Sequence, residues 1–448
     1  MLKPTSLRLS SALFIFLLIV SCSKPEVKPT PPPLDKPQLP VNLIGYANKI
    51  SFYPGELINL YLSADNQTNN CLLKIYDIHH DSVFHINTPI KHQAIANAEP
   101  WKDGFGFTLT TSFTVPSSLA SGFYLIDNKI PFIIKPQHTP DVVVVFPSNT
   151  ESAYCQAGGK SLYRPIGSKA QVLSFLRPIL FPHENKKLNF LEKGLQLLHA
   201  KKDVSIGYIC DMDLDDYASI QGAKLLIIPG HSEYWTRAAR KNFDRFVENG
   251  NNALILSGNT MWWQVRYSDD KKQLICYKGL SDPIADPLLK TINWVDPSLH
   301  YPVSASIGVD YVHGGHGQYG WYGYKIILPQ SPLLQGTGLK QDDILHVSTD
   351  EYDGIEVSSY QNGVPIPKAT GFYKYEMIGY DIAEYAGQPT VAACVALQKN
   401  KNSGVIVNMS STDWCAENGM GGIDKEKISR ITHNAIRLLT SGRQVFVN

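Results

Sequence analysis

The chain has 448 residues, of which 43% are hydrophobic, and its formal net charge is +1 at pH 7. This length is enough for two or three domains, each with a sizeable core. The near-zero charge and the lack of a basic run argue against nucleic acid as a partner. Aromatic residues are plentiful, with 23 Tyr, 17 Phe and 7 Trp, which favours a β-rich protein or one that contacts carbohydrate or another small molecule.

The first 22 residues have the pattern of a secretory signal peptide. Lys3 and Arg8 precede an apolar core at 12–20, which is too short to span a bilayer comfortably. The sequence Leu-Ile-Val-Ser-Cys that ends at Cys22 resembles a bacterial lipobox, whose cysteine is lipidated and becomes the mature N-terminus. Residues 23–40 are rich in Pro and Lys and predict a stiff tether. We therefore expect a lipid anchor at Cys22 in a bacterial cell envelope (outer membrane, periplasmic or surface face). The alternative is an ordinary cleaved signal peptide with an incidental cysteine.

Residues 41–136 have the pattern of a small all-β domain. Short apolar runs, for example at 57–63, 122–126 and 130–134, are mostly bounded by Asn, Asp, Gly or Pro. Several short strands with such turn signals predict an Ig-like β-sandwich. None of its residues forms a catalytic pattern, so we expect this domain to support the rest of the chain or to contact a partner.

Residues 137–448 predict an α/β domain organised around one βαβ unit. Four consecutive aliphatic residues at 225–228 predict a strand buried on both faces, and a second such strand is predicted at 253–256. Between them, residues 238–249 have the apolar pattern of a helix, with Thr236 at its N-cap. Strands that alternate with helices predict a mainly parallel sheet.

Polar and aromatic loops follow both predicted strands of this unit. The first strand runs into Pro-Gly-His-Ser-Glu-Tyr-Trp-Thr at 229–236, and the second runs into Gly-Asn-Thr-Met-Trp-Trp at 258–263. Parallel neighbours end at the same edge of a sheet, where open α/β sheets bind their ligands, so we expect the functional site there. The turn-rich residues from about 268 to 398 predict an insertion that covers this edge.

Four motifs, in order, resemble the large catalytic subunit of N,N-dimethylformamidase. They are the loop at 229–236, the Gly-Asn-x-x-Trp-Trp turn at 258–263, Glu-x-Asp at 351–353 and Ser-Thr-Asp-Trp at 411–414. The resemblance covers roughly residue 141 to the C-terminus. It implies a fold related to class I glutamine amidotransferases (flavodoxin-like), hydrolysis of an amide C–N bond in a small substrate, and a mononuclear iron held by two tyrosines and one glutamate.

The resemblance assigns two of the iron ligands, Tyr234 and Glu351. The second family tyrosine aligns with Trp262, whose indole offers an N–H donor and no lone pair for a metal. Tyr154, Tyr352 or a histidine would have to take its place. Phenolate and carboxylate oxygens are hard ligands that suit trivalent iron, and such a metal polarises a carbonyl or activates water.

Proton transfer at this site is assigned to two side chains of one loop. His231 and Glu233 are the predicted catalytic residues, and the alternative is that they only orient the loop. Ser232 lies in a sequence close to a nucleophile elbow, although a tyrosine replaces the closing glycine. His313 and His316 flank two glycines and form a weak metal-ligand pattern.

A binding protein without catalytic activity is the alternative interpretation. In that case Trp235, Trp262, Trp263 and Trp414 would form an aromatic platform for a glycan or a peptide, and Asn259 would also contact the ligand. Both hypotheses place the site at the same sheet edge. Stoichiometric iron in the purified protein would favour the enzyme, and a lack of iron would favour the binding protein.

Overall fold

The computed structural model describes residues 39–179, 185–200, 203–279, 281–368 and 371–447. The predicted signal peptide, Cys22 and nearly all of the tether at 23–40 lie outside the described residues. Within the described ranges, no helix is both long enough and apolar enough to cross a membrane.

The first part of the chain is almost entirely β-structure. Its short strands follow the apolar runs of the sequence, and one four-residue helix interrupts them. The elements are β1 (Ile44–Ala47), β2 (Ser51–Phe52), β3 (Leu57–Ser63), β4 (Thr68–Asp77), β5 (Ser82–Ile90), α1 (Pro100–Asp103), β6 (Thr111–Thr114), β7 (Gly122–Ile126) and β8 (Ile130–Ile134).

These strands form two sheets with one shared core. One sheet has the order β2-β8-β7-β4-β5, and the other has the order β1-β3-β6. Alternate residues of β3 and β4 are buried, among them Leu60, Leu62, Leu73 and Ile75, and they belong to the same hydrophobic cluster. This alternation is expected for strands that turn one face toward a core.

The second part of the chain contains the remaining strands and the three long helices. Its elements are β9 (Val142–Phe146), α2 (Ser148–Tyr154), β10 (Val172–Ser174), α3 (Asn185–Ala200), β11 (Ile206–Cys210), β12 (Leu225–Gly230), β13 (Tyr234–Thr236), α4 (Arg237–Glu248), β14 (Asn252–Ser257), β15 (Trp263–Tyr267), β16 (Gln273–Ile275), α5 (Ser304–Ile307), β17 (Asp310–His316), β18 (Tyr324–Ile326), β19 (Ile344–Leu345), β20 (Glu351–Gly354), β21 (Val357–Gln361), β22 (Val364–Pro367), β23 (Lys374–Tyr385), β24 (Gln388–Gln398), β25 (Val405–Asn408) and α6 (Lys425–Ser441).

An eleven-stranded mixed sheet forms the centre of this part. Five neighbouring strands, in the order β11-β9-β12-β14-β25, are parallel. Strands β24, β23, β18 and β19 continue the sheet with antiparallel pairing, and β20 and β17 join it through β24. The part of the chain that the structure describes is mostly β-structure, with 35% strand and 18% helix, and its strands form several mixed sheets. The prediction of a mainly parallel, flavodoxin-like α/β domain of the class I glutamine amidotransferase type is therefore wrong.

The antiparallel half of the sheet comes from the segment that we expected to cover it. Strands β23 and β24 form a long hairpin within residues 268–398, and β24 pairs with the last parallel strand, β25. The hairpin turn is built on Ala386 and Gly387, both with positive φ. Turn signals in this segment thus mark connections between sheet strands as well as loops above the sheet.

The two parts of the chain contact each other closely although their sheets are separate. Phe123 and Ile133 of the first part share a core with Val144 and Tyr208 of the central sheet. At the edge of this contact, the Lys135 ammonium lies 3.1 Å from the Asp213 carboxylate. Among the described residues, no backbone pairing joins a strand before residue 136 to a strand after it.

Candidate functional site

A cavity of about 460 Å³ lies at the carboxyl edge of the parallel strands. Strands β9 and β12 deliver α2 and the loop at 231–233 to this edge, and the segment after β25 delivers Thr412. Strand β20 reaches the same place from the antiparallel half of the sheet. The cavity wall includes Thr150, Tyr154, His231, His316, Glu351 and Thr412.

Gly258 allows these segments to approach each other. A Cβ atom at this position would lie 2.4 Å from the carbonyl oxygen of Glu351 and 2.7 Å from the amide nitrogen of Thr412. The same two residues are tied together, since the Thr412 N–H donates to the Glu351 carbonyl at 3.1 Å. Any side chain at 258 would therefore push apart the segments that form the cavity.

An ion pair between His231 and Glu351 forms part of the cavity wall. The Nε2 atom of His231 lies 3.0 Å from Oε2 of Glu351, which also accepts a hydrogen bond from the Asn259 amide at 3.1 Å. Burial works against both charges, but the mutual attraction prevails: it raises the pKa of His231 to about 9 and lowers that of Glu351 to about 2. At neutral pH the pair is an imidazolium and a carboxylate.

Glu233 lies behind this pair and is almost completely buried. Its two carboxylate oxygens accept hydrogen bonds from the hydroxyls of Tyr154 at 3.0 Å and Tyr163 at 2.6 Å. Its Oε2 is 3.4 Å from Nε2 of His231. Burial raises the pKa of Glu233, although the His231 charge opposes that change. The two tyrosines fix the position of the Glu233 carboxylate. Its negative charge then stabilises the protonated ring of His231 and helps to hold that ring in place.

Tyr234 and Glu351 are connected through other side chains. The Tyr234 hydroxyl donates to the Tyr163 hydroxyl at 2.6 Å, and Tyr163, Glu233 and His231 then lead to Glu351. Burial, together with the nearby Glu233 charge, raises the pKa of Tyr234 well above its usual value.

The remaining candidates for a third iron ligand do not complete the set. Trp262 has no lone pair for a metal. Tyr352 is fully buried, and its hydroxyl hydrogen-bonds with Thr390 at 2.7 Å. It follows Glu351 in β20, and successive strand residues point to opposite faces. Tyr154 does line the cavity, but its hydroxyl donates to Glu233. The set that the resemblance assigns is therefore incomplete, because Trp262 stands in the place of its second tyrosine and the Tyr234 hydroxyl bonds to Tyr163.

Several residues of the site belong to no motif of the sequence. Tyr163 belongs to the Glu233 network, and Lys278 lies against it with its ammonium 3.6 Å from the Tyr163 ring centroid. The Tyr311 hydroxyl lies 3.0 Å from Nε2 of His316 and 3.4 Å from Glu351. No spacing pattern marks these residues, because they come from separate segments that only the fold brings together.

The four predicted platform tryptophans do not share a surface. Trp235 and Trp414 are buried, with 1% and 0% of their surface exposed, and their indole N–H groups donate to Ser232 and Thr432. Trp262 and Trp263 are half-buried neighbours with ring centroids 5.9 Å apart.

The two weaker motifs of the sequence have structural explanations. Ser232 accepts a hydrogen bond from the Trp235 indole at its side-chain oxygen. His313 pairs with Asp310 at 2.7 Å, whereas His316 lines the cavity. The glycine at 314 is required by packing, because a Cβ there would lie 2.0 Å from the carbonyl oxygen of Tyr352.

Solved structures with some overall likeness have low identity to the chain. A ThuA-like protein from Bacteroides uniformis is 10% identical, with a TM-score of 0.35 over 68% of this chain and 94% of that one. A β-galactosidase from Rahnella sp. R3 is 12% identical, with a TM-score of 0.33 over 65% of this chain and 32% of that one. The mmIFT52 N-terminal domain is 11% identical, with a TM-score of 0.33 over 68% of this chain and 100% of that one. These values are too low to carry a functional argument.

A family model gives a much stronger match. A search of curated proteins found no match to the chain. The family model for the N,N-dimethylformamidase beta subunit-like C-terminal region, however, matches residues 80–421. The match begins well before residue 141, so it also includes several strands of the first part. The match spans about three quarters of the chain. The chain therefore belongs to the N,N-dimethylformamidase beta subunit-like family.

Proposed function

We propose that this protein hydrolyses the C–N bond of an amide at the His231–Glu351 pair. The observation that carries the proposal is this ion pair, with its 3.0 Å contact, in the wall of a cavity at the sheet edge. Membership of the N,N-dimethylformamidase beta subunit-like family supports amide hydrolysis as the reaction type. Attachment to a membrane through Cys22 is part of the proposal on the strength of the lipobox-like sequence alone.

The two side chains have complementary roles in the proposed step. Glu351 accepts a proton from a water molecule whose oxygen attacks the amide carbon, and His231 donates its proton to the leaving nitrogen. The C–N bond breaks as the new C–O bond forms, and the products are a carboxylic acid and an amine. Glu351 then releases its proton to water and His231 takes one up from water, which restores the ion pair.

The attraction between the two charges favours proton transfer from water to Glu351 at the moment when His231 gives up its own proton. The His231 charge holds the pKa of Glu351 near 2, so Glu351 is a weak base while His231 is protonated. As His231 transfers its proton to the leaving nitrogen, that attraction disappears and the carboxylate becomes a stronger base. Glu233 stabilises the imidazolium from the opposite side, where its oxygen lies 3.4 Å from the ring nitrogen.

Amide hydrolysis should depend on pH through His231. Its pKa is raised to about 9, so the protonated form is present below pH 9 and is lost above it. We therefore expect the release of amine from simple amides to fall about tenfold per pH unit above pH 9. Colorimetric detection of the amine across pH 6–11 would measure this, with thermal melting at each pH to verify that the protein stays folded.

The low-pH behaviour provides the internal control. Glu351 has a pKa of about 2 and stays ionised in mildly acidic solution, so it should cause no loss of rate between pH 5 and pH 7. No amine release from formamides, acetamides or anilides at any pH would contradict the proposed function. A rate that rises continuously through pH 10 would contradict the role of His231 as the acid.

Removal of metal should leave this activity intact. The iron-ligand set that the resemblance assigns lacks its second tyrosine, because Trp262 stands in that place, and the proposed step uses only the His231–Glu351 pair. We expect dialysis against a chelator to change the rate by less than twofold, and elemental analysis to find well under one iron per chain. Loss of activity that added iron restores would show that the enzyme depends on the metal.

A further inference from the structure

The cavity is much larger than the reacting bond requires. A water molecule occupies roughly 30 Å³ of liquid, so a volume of about 460 Å³ has room for a ligand of many more heavy atoms than a simple formamide. The cavity lining also contains many polar residues away from the His231–Glu351 pair. These groups include the side chains of Thr150, Gln318, Thr349, Asp350 and Thr412.

Aromatic side chains extend from one side of this cavity toward solvent. We call them the aromatic wall and define it as Trp262, Tyr311, His316, Tyr319 and Tyr385. His316 belongs to this aromatic wall and also lines the cavity. Its ring centroid lies 5.9 Å from that of Tyr311, 5.4 Å from that of Tyr385 and 6.3 Å from that of Tyr319. Trp262 continues the wall at 5.3 Å from Tyr311.

The fold holds the wall in place while leaving its outer end accessible. Strand β17 passes close to Tyr385 because Gly315 has no side chain; a Cβ there would lie 2.9 Å from the Cβ of Tyr385. Tyr311 is buried and hydrogen-bonds to His316. Tyr319, in contrast, has 48% of its surface exposed. The inner rings are therefore fixed, and the outer ring is free to contact a ligand.

We infer that the substrate is an N-acylated amino sugar in a short oligosaccharide, an inference that rests on the proposed amide hydrolysis. A pyranose ring has apolar C–H faces that pack on aromatic rings, and hydroxyls at its rim that bond to polar side chains. The polar cavity and the aromatic wall provide both types of contact side by side. The acyl C–N bond breaks at the His231–Glu351 pair, water supplies the hydroxyl of the released acid, and the sugar keeps a free amine.

Binding to an oligomer of N-acetylglucosamine would test the inference independently of catalysis. Titration calorimetry on the full-length chain should detect the tetramer, with little or no binding of an N-acetylated dipeptide. Each of Tyr385→Ala and Tyr319→Ala should weaken binding about tenfold, because each removes one ring contact. Tyr385→Phe and Tyr319→Phe keep the ring and should bind nearly as well as the original chain. Tyr360→Ala is the control, since Tyr360 is 55% exposed, close to the 48% of Tyr319, but lies outside the aromatic wall.

The outcomes separate this inference from the proposed reaction. Weaker binding in both alanine variants, with amine released neither from the oligomer nor from simple amides, would support the sugar subsite and overturn the hydrolysis. Amine release from simple amides but not from the oligomer would overturn the assignment of the sugar as the substrate. Amine release from simple amides together with unchanged tetramer binding in both variants would overturn the subsite and leave the hydrolysis standing. Equal or tighter binding of the acetylated dipeptide would also overturn the sugar assignment. Tyr319 is half exposed, so its variant tests the wall even if Tyr385→Ala fails to fold.

Discussion

Replacing His231 with glutamine should lower the rate of amide hydrolysis by about a hundredfold or more, the usual range for loss of a general acid. Glutamine can still donate a hydrogen bond to Glu351, but it cannot transfer a proton to the leaving nitrogen. The loss should appear in kcat/KM for amine release at pH 7. The fall in rate above pH 9 should vanish as well, because the group that titrates there is gone.

A matched control distinguishes catalysis from a general loss of charge pairing. His346→Gln removes another histidine–carboxylate pair, with Nδ1 3.0 Å from Asp424, outside the cavity wall. That variant should keep the original rate. The His231→Gln protein must also melt cooperatively, since its partner Glu351 loses the charge that offsets its burial. A folded His231→Gln variant with more than a tenth of the original rate would refute the assignment.

Replacing Trp414 with alanine should destabilise the fold by ~3–5 kcal/mol, the usual cost of deleting a large buried aromatic side chain. The indole is completely buried, and its N–H donates to the Thr432 hydroxyl in α6 at 2.8 Å. Denaturant unfolding would measure the change in the free energy of unfolding. Trp414→Phe should cost less, because most of the ring volume is retained and only the hydrogen bond is lost.

The same experiment decides whether Trp414 packs in the core or contacts a ligand. Trp263→Ala is the comparison, because Trp263 is only half-buried and its removal should cost clearly less. If Trp414→Ala left the free energy of unfolding unchanged but raised KM, then Trp414 would be a ligand contact. That result would favour the hypothesis that Trp414 belongs to an aromatic ligand-binding platform.

Local elements of the βαβ unit could be predicted well from the sequence. The strand at 225–228 is part of β12, and the strand at 253–256 is part of β14, with parallel pairing between them. Helix α4 follows Thr236, whose hydroxyl accepts a hydrogen bond from the Ala239 N–H at 3.0 Å. These features depend on residues close in sequence, through apolar periodicity and helix capping.

The overall sheet could not be predicted in this way. The apolar run at 391–397 has no distinctive period, so nothing in it indicates whether the strand pairs in parallel or antiparallel fashion. The structure pairs β24 with β25 in the antiparallel sense and adds six antiparallel strands to the five parallel ones. Strand direction is set by the connections and by which partner buries the apolar face, and both are properties of the whole fold.

The same distinction applies to the candidate site: its motifs can be seen in the sequence, and the contacts between them cannot. The motifs by themselves determined the family and pointed to His231, Glu233 and Glu351, because these residues stand in recognisable order along the chain. Only the tertiary structure decided that His231 pairs with Glu351, and that the Tyr234 hydroxyl bonds to Tyr163. The physical reason is distance along the chain: such contacts form between segments that the central sheet brings together, and their partners leave no pattern in the local sequence.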